Sequence, residues 1–440
     1  MKKVLIVTYY WPPAGGVAVQ RWLKFANYLV KNNFEVIVFT AENAAYPMVD
    51  IALEAQVSPK IKVHKVPLLE PRNLLKRISR KERMSKKNQK DNIDRLFYIP
   101  KSELSMKQKM VLWIRANIFI PDARILWINP VVNAISRYIQ RGNVLDYLVT
   151  TGPPHSVHLI GRRIKKKHQI RWIADFRDPW LEIEYFDFMP LTQFARNRHK
   201  RLEKAVVEEA DGVTVVAPYW KKIFTRHNQD RVCILTNGYD APDFVSGRIT
   251  KEDKFVMVHM GTLQLDRNAP ELWNTIQELN EEVPGFEDDF ELHVFGNIDE
   301  RIFDDLRAHK INHQVIKKGF VPHKEAIDKM KSARLLLLLI NRNQKNAPGR
   351  MTSKIFEYLA AQNPILFLGL KDSDPADVIR NTGSGVVVEF GDKNGLIEEL
   401  KNAYFQYKEG ILKPRSNDIE KYSRENISKQ LISFMHTINN

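Results

Sequence analysis

Three charged side chains close the segment IRWIADFRDPW (170–180): Asp175, Arg177 and Asp178 stand at the end of an apolar run that reads as a buried strand. Two carboxylates and a guanidinium beside such a strand are costly to desolvate unless they pair or meet a polar ligand. A carboxylate placed there can orient or deprotonate a hydroxyl, and a guanidinium can hold an anion. The same residues also fit a structural Arg–Asp pair. Upstream, TGPPHSVHLIG (151–161) sets His155 at the corresponding end of its own strand, with His158 three residues on and on the same helical face. An i, i+3 histidine pair needs a third ligand to hold a metal. None stands nearby in sequence, so no metal site is expected, and His155 is expected at a ligand-binding edge.

Further along, HMGTL (259–263) ends a strand and leads to Arg267 just before a helix, where a guanidinium neutralises a phosphate or simply meets water. APGRMTSKIFEYLAA (347–361) sets Thr352 and Ser353 before an amphipathic stretch, with Lys354 and Glu357 in its first turns. Free N–H groups at such a helix start favour an anion. Gly15 and Gly16 likewise sit between a strand and a helix, where backbone can approach a ligand closely. The run from Thr8 is not G-x-G-x-x-G, and no phosphate loop of the G-x-x-x-x-G-K type occurs.

These residues all fall at the ends of apolar runs. Residues 4–8, the helical spacing over 17–31 and EVIVFT (35–40) form a βαβ unit and predict a parallel sheet. The pattern returns at 146–150, 157–167, 170–175, 212–216 and 232–235. A second series begins near Lys254 with FVMVHMG, ELHVFG, QVIKKGF, ARLLLLLI, PILFLGL and GVVVEF. Two consecutive α/β series predict two doubly wound domains, joined near 239–251, where turn residues and charges interrupt the periodicity. Residues from about 70 to 130 do not fit a plain βαβ count and read as an insertion in the first domain. Within it, 72–90 holds nine basic residues against one acid, Glu82.

The 440 residues supply material for two cores, at 44% hydrophobic and 27% charged. Cys233 is the sole cysteine, which excludes a disulfide framework and a cysteine-built metal site and fits a reducing compartment. The longest purely apolar stretch, 335–340, falls far short of the ~18 residues of a spanning helix. A cytoplasmic protein is expected, peripheral on the inner face of the plasma membrane. Residues 1–250 hold 42 basic and 23 acidic residues, whereas 251–440 hold 26 and 29, so the whole net charge of +16 belongs to the first half. That half is expected to meet an anionic partner.

Taken in order, the Gly-Gly loop, DFRDPW, Thr236-Asn237-Gly238-Tyr239-Asp240, HMGTL with Arg267, HVFG, GFVP and SKIFEYLAAQNPIL resemble the retaining nucleotide-sugar glycosyltransferases of the GT-B fold, family four. The resemblance covers nearly the whole chain except the basic insertion. It implies two Rossmann-like domains facing across a cleft: 1–245 binding the acceptor and carrying the insertion over about 70–130, 246–415 binding the nucleotide sugar, and 416–440 forming a helix (within 420–438) that crosses back to the first domain. It also implies residue roles. Gly15 and Gly16 would approach the diphosphate, Arg267 and Lys354 would neutralise it with the Thr352–Ser353 amides, and Glu357 would bind the ribose. Gly296 and Val321 would line the base pocket. Asp178, His155 and Arg177 would serve catalysis, with no cofactor or metal beyond the donor. The family's E-x7-E pair is incomplete, since Gly349 stands eight before Glu357. Arg177 stands nearest to where many members carry a histidine.

The partners this implies are a nucleotide sugar, a glycan or lipid-linked acceptor of the cell envelope, and an anionic membrane surface contacted by 72–90 with Leu74, Leu75, Ile78, Trp113 and Phe119. The alternatives are a nucleotide-sugar 2-epimerase on the same fold and a nucleic-acid-binding protein. Against nucleic acid stand the absent recognition motif and the second half, which carries no net positive charge.

Overall fold

The β-branched run at the start of the chain becomes β1 (Lys3–Thr8), the helical spacing behind it α1 (Val17–Lys31), and the next apolar run β2 (Glu35–Ala41), parallel to β1. The computed structural model describes every residue except 69–103, 184, 227–230, 246–248, 342–345, 413–415 and 439–440. The chain continues through β3 (Lys62–Val66), α2 (Met106–Asn117), α3 (Ile128–Gln140), β4 (Tyr147–Gly152), α4 (Ser156–His168), β5 (Arg171–Phe176), α5 (Gln193–Glu209), β6 (Gly212–Val215), α6 (Pro218–Phe224) and β7 (Val232–Ile234). Seven parallel strands result, in the order β3-β2-β1-β4-β5-β6-β7.

The second series gives β8 (Phe255–Met260), α7 (Pro270–Glu282), β9 (Phe290–Phe295), α8 (Glu300–Ala308), β10 (Val315–Lys317), α9 (His323–Ser332), β11 (Leu335–Leu339), α10 (Ser353–Ala361), β12 (Ile365–Leu368), α11 (Asp374–Thr382), β13 (Gly385–Val388) and α12 (Lys393–Lys408). These six strands run parallel in the order β10-β9-β8-β11-β12-β13. The last helix is α13 (Arg424–Thr437).

In both sheets the strand order reverses beside the first strand, between β1 and β4 and between β8 and β11. Open α/β sheets bind ligands at that point, beyond the carboxyl ends of the strands. The five leucines of β11 are buried on both faces, as a central parallel strand requires.

The chain divides into two compact units, 1–235 with 428–440, and 236–427. The boundary expected at 245 lies inside the second unit because its segment is pinned there. Arg424 donates its backbone N–H to the Tyr239 carbonyl at 2.8 Å and its guanidinium to Asp240 at 2.7 Å.

The described part of the region read as an insertion over about 70–130 carries α2, which packs Leu112 and Ala116 with Leu104, Phe186 and Met189. β3 precedes the region as an edge strand, and α3, the crossover helix between β3 and β4, follows it. The basic run 72–90, with Leu74, Leu75 and Ile78, lies outside the described residues.

Candidate functional site

Asp175 sits near the end of β5 with no exposed surface. Arg21 of α1, itself buried, donates Nη2 to Oδ1 at 2.9 Å; Trp22 Nε1 and the Thr151 hydroxyl donate to Oδ2, and the Thr214 hydroxyl to Oδ1. Arg21 also donates to the Leu235 carbonyl. Burial opposes ionisation of this carboxyl, but the Arg21 charge and these hydrogen bonds outweigh it and hold its pKa below the usual value. The carboxylate therefore locks α1, β4, β5 and β6 together. Of the charged cluster read from the sequence, Asp175 is the member with the structural role, and its partner is Arg21 rather than Arg177.

Arg177 and Asp178 turn the other way. The Arg177 side chain is 13% exposed and Asp178 49% exposed, with 3.5 Å between Nε and Oδ2. Arg177 also reaches the Pro153 carbonyl at 3.4 Å and lies over the Tyr10 ring. Tyr10 belongs to the loop after β1, which runs through the cis Pro12-Pro13 bond to Gly15 and Gly16. Gly15 is held by the Met48 carbonyl, and a Cβ there would meet Met48 Cγ at 2.9 Å. Gly16, at φ 94°, caps α1 with nothing within 4 Å of a Cβ, so its strain would be conformational alone.

His155 is buried and stacks on Trp180 at 5.0 Å. Neither ring nitrogen has a hydrogen-bond partner of ordinary geometry. Burial, followed by the charge of Arg177, pulls its pKa down to about 3. The ring is neutral at pH 7 and a weak base. His158 donates or accepts at the Thr150 hydroxyl, and both rings pack so closely over Gly152 that a Cβ there would lie 2.6 Å from His158 Nε2. The exposed carboxylate of this set is Asp178.

In the second unit, the loops after β8 and β9 run together. A Cβ on Gly296 (φ 148°) would lie 2.5 Å from the Gly261 carbonyl oxygen, so the approach requires glycine. Arg267 follows in a short 3-10 turn. Its Nε donates to Asn341 Oδ1 at 2.9 Å and its Nη1 to the Thr262 carbonyl at 3.4 Å, while Asn341 Nδ2 donates to Asp266. Asn341 stands just beyond β11, so this set ties the two strands at the switch point. Burial lowers the pKa of Arg267 and raises that of Asp266.

Tyr358 of α10 accepts the Met260 N–H at 2.8 Å and donates to the Leu337 carbonyl, which fixes α10 over the ends of β8 and β11. Thr352, the N-cap, makes no side-chain cap bond, and Ser353 is buried. Lys354 bonds Glu357, itself buried, at 2.8 Å. His259, in β8, is buried with Nδ1 on the Leu337 carbonyl and Nε2 unpartnered. Burial, with the charges of Arg267 and Lys354, lowers its pKa to about 4. Both cations thus act on one point beside β8. Val321 lies after β10, at the outer edge of this sheet.

The structure therefore gathers Arg267, Lys354, Thr352, Ser353, Glu357 and Gly296 in one unit, and Gly15, Gly16, His155, Arg177 and Asp178 in the other. Sequence reasoning missed Asn341 and Tyr358, which position Arg267 and α10. Their signal was place alone, one just beyond a leucine strand and one beside Glu357.

No protein-family model and no curated protein matches the chain. Solved structures do match. WaaG, a glycosyltransferase involved in lipopolysaccharide biosynthesis, aligns with TM-score 0.53 at 13% identity over 98% of this chain and 95% of its own. S. aureus TarM, in complex with Fondaparinux, alpha-GlcNAc-glycerol and UDP, aligns with TM-score 0.62 at 11% identity over 99% and 100%. A Listeria monocytogenes structure assigned as a UDP-N-acetylglucosamine 2-epimerase gives 0.56 at 11% over 100% and 98%. What the chain shares with them is the fold: two parallel-sheet α/β units of the kind found in GT-B glycosyltransferases.

Proposed function

We propose that the protein is a retaining glycosyltransferase that moves a sugar from a nucleoside diphosphate-sugar to a glycan or lipid-linked acceptor of the cell envelope. The observation that carries this reading is that Arg267, tied to Asn341 just beyond β11, and Lys354, on the helix α10 that Tyr358 ties to β8 and β11, both attach to the strands at the switch point of the second sheet, and that α10 begins without a side-chain cap. A diphosphate leaving group gains negative charge as the glycosidic bond breaks, and fixed donors aimed at that charge usually supply the largest share of catalysis. Arg267, Lys354 and the α10 amides would do so without a metal ion. Glu357 would accept from ribose hydroxyls, and Gly296 and Val321 would border the base. In the first unit, Asp178 would orient or deprotonate the acceptor hydroxyl, with Arg177 beside it; His155, neutral and stacked, would shape the floor of that site.

The protein's cellular place would be the cytoplasmic face of a membrane. Supporting this are the excess positive charge of residues 1–250 and the exposed Met106, Met110 and Trp113 of α2. No helix among the described residues is long and apolar enough to cross a bilayer.

The first test is a thermal-shift screen against UDP, GDP, ADP and dTDP, followed by turnover of the matching nucleotide sugars. Arg267→Ala should lower donor turnover by about 100-fold, the range seen when one charge-stabilising donor is removed; unchanged turnover excludes the role. Epimerisation of a UDP-sugar without any acceptor would favour the second reading, which the Listeria likeness supports.

A further inference from the structure

Arg124 stands between α2 and α3 and lies against the aromatic loop after β1, with its guanidinium carbon 4.9 Å from the Tyr9 ring centroid. A guanidinium carries five N–H donors. The hydrogen bond that Arg124's makes is a long one, 3.4 Å from Nη2 to the Tyr9 hydroxyl, and its Nε is buried without a partner. The nearest acid, Asp122, spends its carboxylate on backbone: Oδ1 accepts from the Arg124 N–H and Oδ2 from the Ser156 N–H.

Arg177 approaches the same loop from β5. Its two side-chain hydrogen bonds are also long, 3.5 Å to Asp178 and 3.4 Å to the Pro153 carbonyl, and its guanidinium carbon lies 5.9 Å from the Tyr10 centroid. Tyr9 and Tyr10 meet edge to face at 4.9 Å, with Tyr46 at 5.9 Å from Tyr9 and 6.2 Å from Tyr10. Two under-used planar forks thus flank one aromatic pair at the switch point of the first sheet. Arg21, a few residues along in α1, differs: its guanidinium is engaged with Asp175 and Leu235. The fold supplies a close carboxylate for that structural arginine and gives Arg177 a single long contact to Asp178; the charge of Asp122 acts on Arg124, but its two oxygens accept from backbone N–H groups and not from the fork.

We propose that Arg124 and Arg177 form an oxyanion site for the acceptor, so that the acceptor carries a phosphate or carboxylate next to its accepting sugar. Planar guanidinium forks match both groups bidentately, and such charge-assisted bonds are the strong ones. This rests on the reading that the first unit holds the acceptor, and it adds a chemical class to it.

The test is calorimetric titration of the full-length protein with inorganic phosphate, D-glucuronate and neutral methyl glucoside. Variants are Arg124→Gln, Arg124→Lys, Arg177→Gln and Arg267→Gln. At least one anionic probe binds the wild type more tightly than methyl glucoside does. Arg124→Gln and Arg177→Gln each weaken it tenfold or more, and Arg124→Lys weakens it less. Arg267→Gln leaves this binding in place while abolishing nucleoside diphosphate binding, so the donor reading and this one fail separately. Phosphate binding that survives Arg267→Gln and falls in Arg124→Gln identifies a phosphorylated acceptor, and glucuronate binding with the same pattern a sugar acid. Equal binding by Arg124→Gln and wild type, loss only in Arg267→Gln, or no anion binding to the wild type each overturns the proposal. Unchanged unfolding midpoints of Arg124→Gln, Arg124→Lys and Arg177→Gln certify that these variants report binding rather than misfolding.

Discussion

Glu203 lies on α5, buried, with Oε2 unpartnered, and burial followed by the charge of Glu182 pushes its pKa up to about 8. Its unfolded value is near 4.5. Between those values the folded chain binds the extra proton, so stability falls as pH rises from about 4.5 to 8. Glu203→Gln removes that penalty. It should stabilise the protein by about 1–3 kcal/mol at pH 8 and change little at pH 4.5, since each pH unit between the two values is worth at most ~1.4 kcal/mol. Denaturant midpoints at the two pH values check this, and an equal change at both would refute it. Arg21 behaves oppositely. Arg21→Met strands Asp175 as a buried charge with no counterion and should cost about 3–5 kcal/mol, read from the same denaturant titrations. Asp175 was visible in the sequence as one of a charged group at a strand end. Its partner was not, because Arg21 lies 154 residues away and only the pairing of β1, β4 and β5 brings them together.

Among elements, the strands with long apolar runs were legible, since a parallel strand covered on both faces is apolar throughout. The edge strand β3 was not. Its sequence KVHKV is buried only at Val66 and carries no such run. α2 was hidden for a related reason. Its buried face consists of Leu112 and Ala116, while Met106 (79% exposed), Met110 (65%) and Trp113 (46%) point outward, and Phe188 and Phe194 are exposed in a second segment. Asn117 ties α2 to that second segment by donating to the Pro190 carbonyl and accepting from Thr192. Apolar residues facing water, with Lys107, Lys109 and Arg115 between them and no acid on the helix, suit an anionic bilayer surface. Each such cation adds about 1 kcal/mol near an anionic leaflet. Met110→Glu with Trp113→Glu should lower co-sedimentation with anionic vesicles about tenfold or more and leave the unfolding midpoint unchanged. Unaltered sedimentation would remove α2 from the membrane reading, and a lowered midpoint would mean that the face is covered within the chain.

At the scale of the whole molecule, the presence of two parallel-sheet units could be read from the alternation of apolar runs and helical spacing, whereas the unit boundary could not. It depends on which unit the returning chain joins. α13 begins in the second unit, where Arg424 bonds Asp240, but Ser428–Asn440 belongs to the first. Phe434 packs under Gly212 at the start of β6, where a Cβ would lie 2.8 Å from its ring, and Leu431 and Met435 are fully buried. Burying each such side chain is worth about 1.5–3 kcal/mol. The two fully buried ones amount to a large part of the ~5–15 kcal/mol that holds a domain together. Truncation after Ile427 should therefore unfold or strongly destabilise the first unit and leave the second nearly intact. Differential scanning calorimetry would then show a transition lowered by about 10 °C or more, beside one that nucleoside diphosphate still raises. The milder Gly212→Ala, which forces a methyl against Phe434, should move the same transition in the same direction by less. A truncated chain that melts like the full one would show that α13 contributes nothing to the first unit, and that Leu431 and Met435 are buried without holding it.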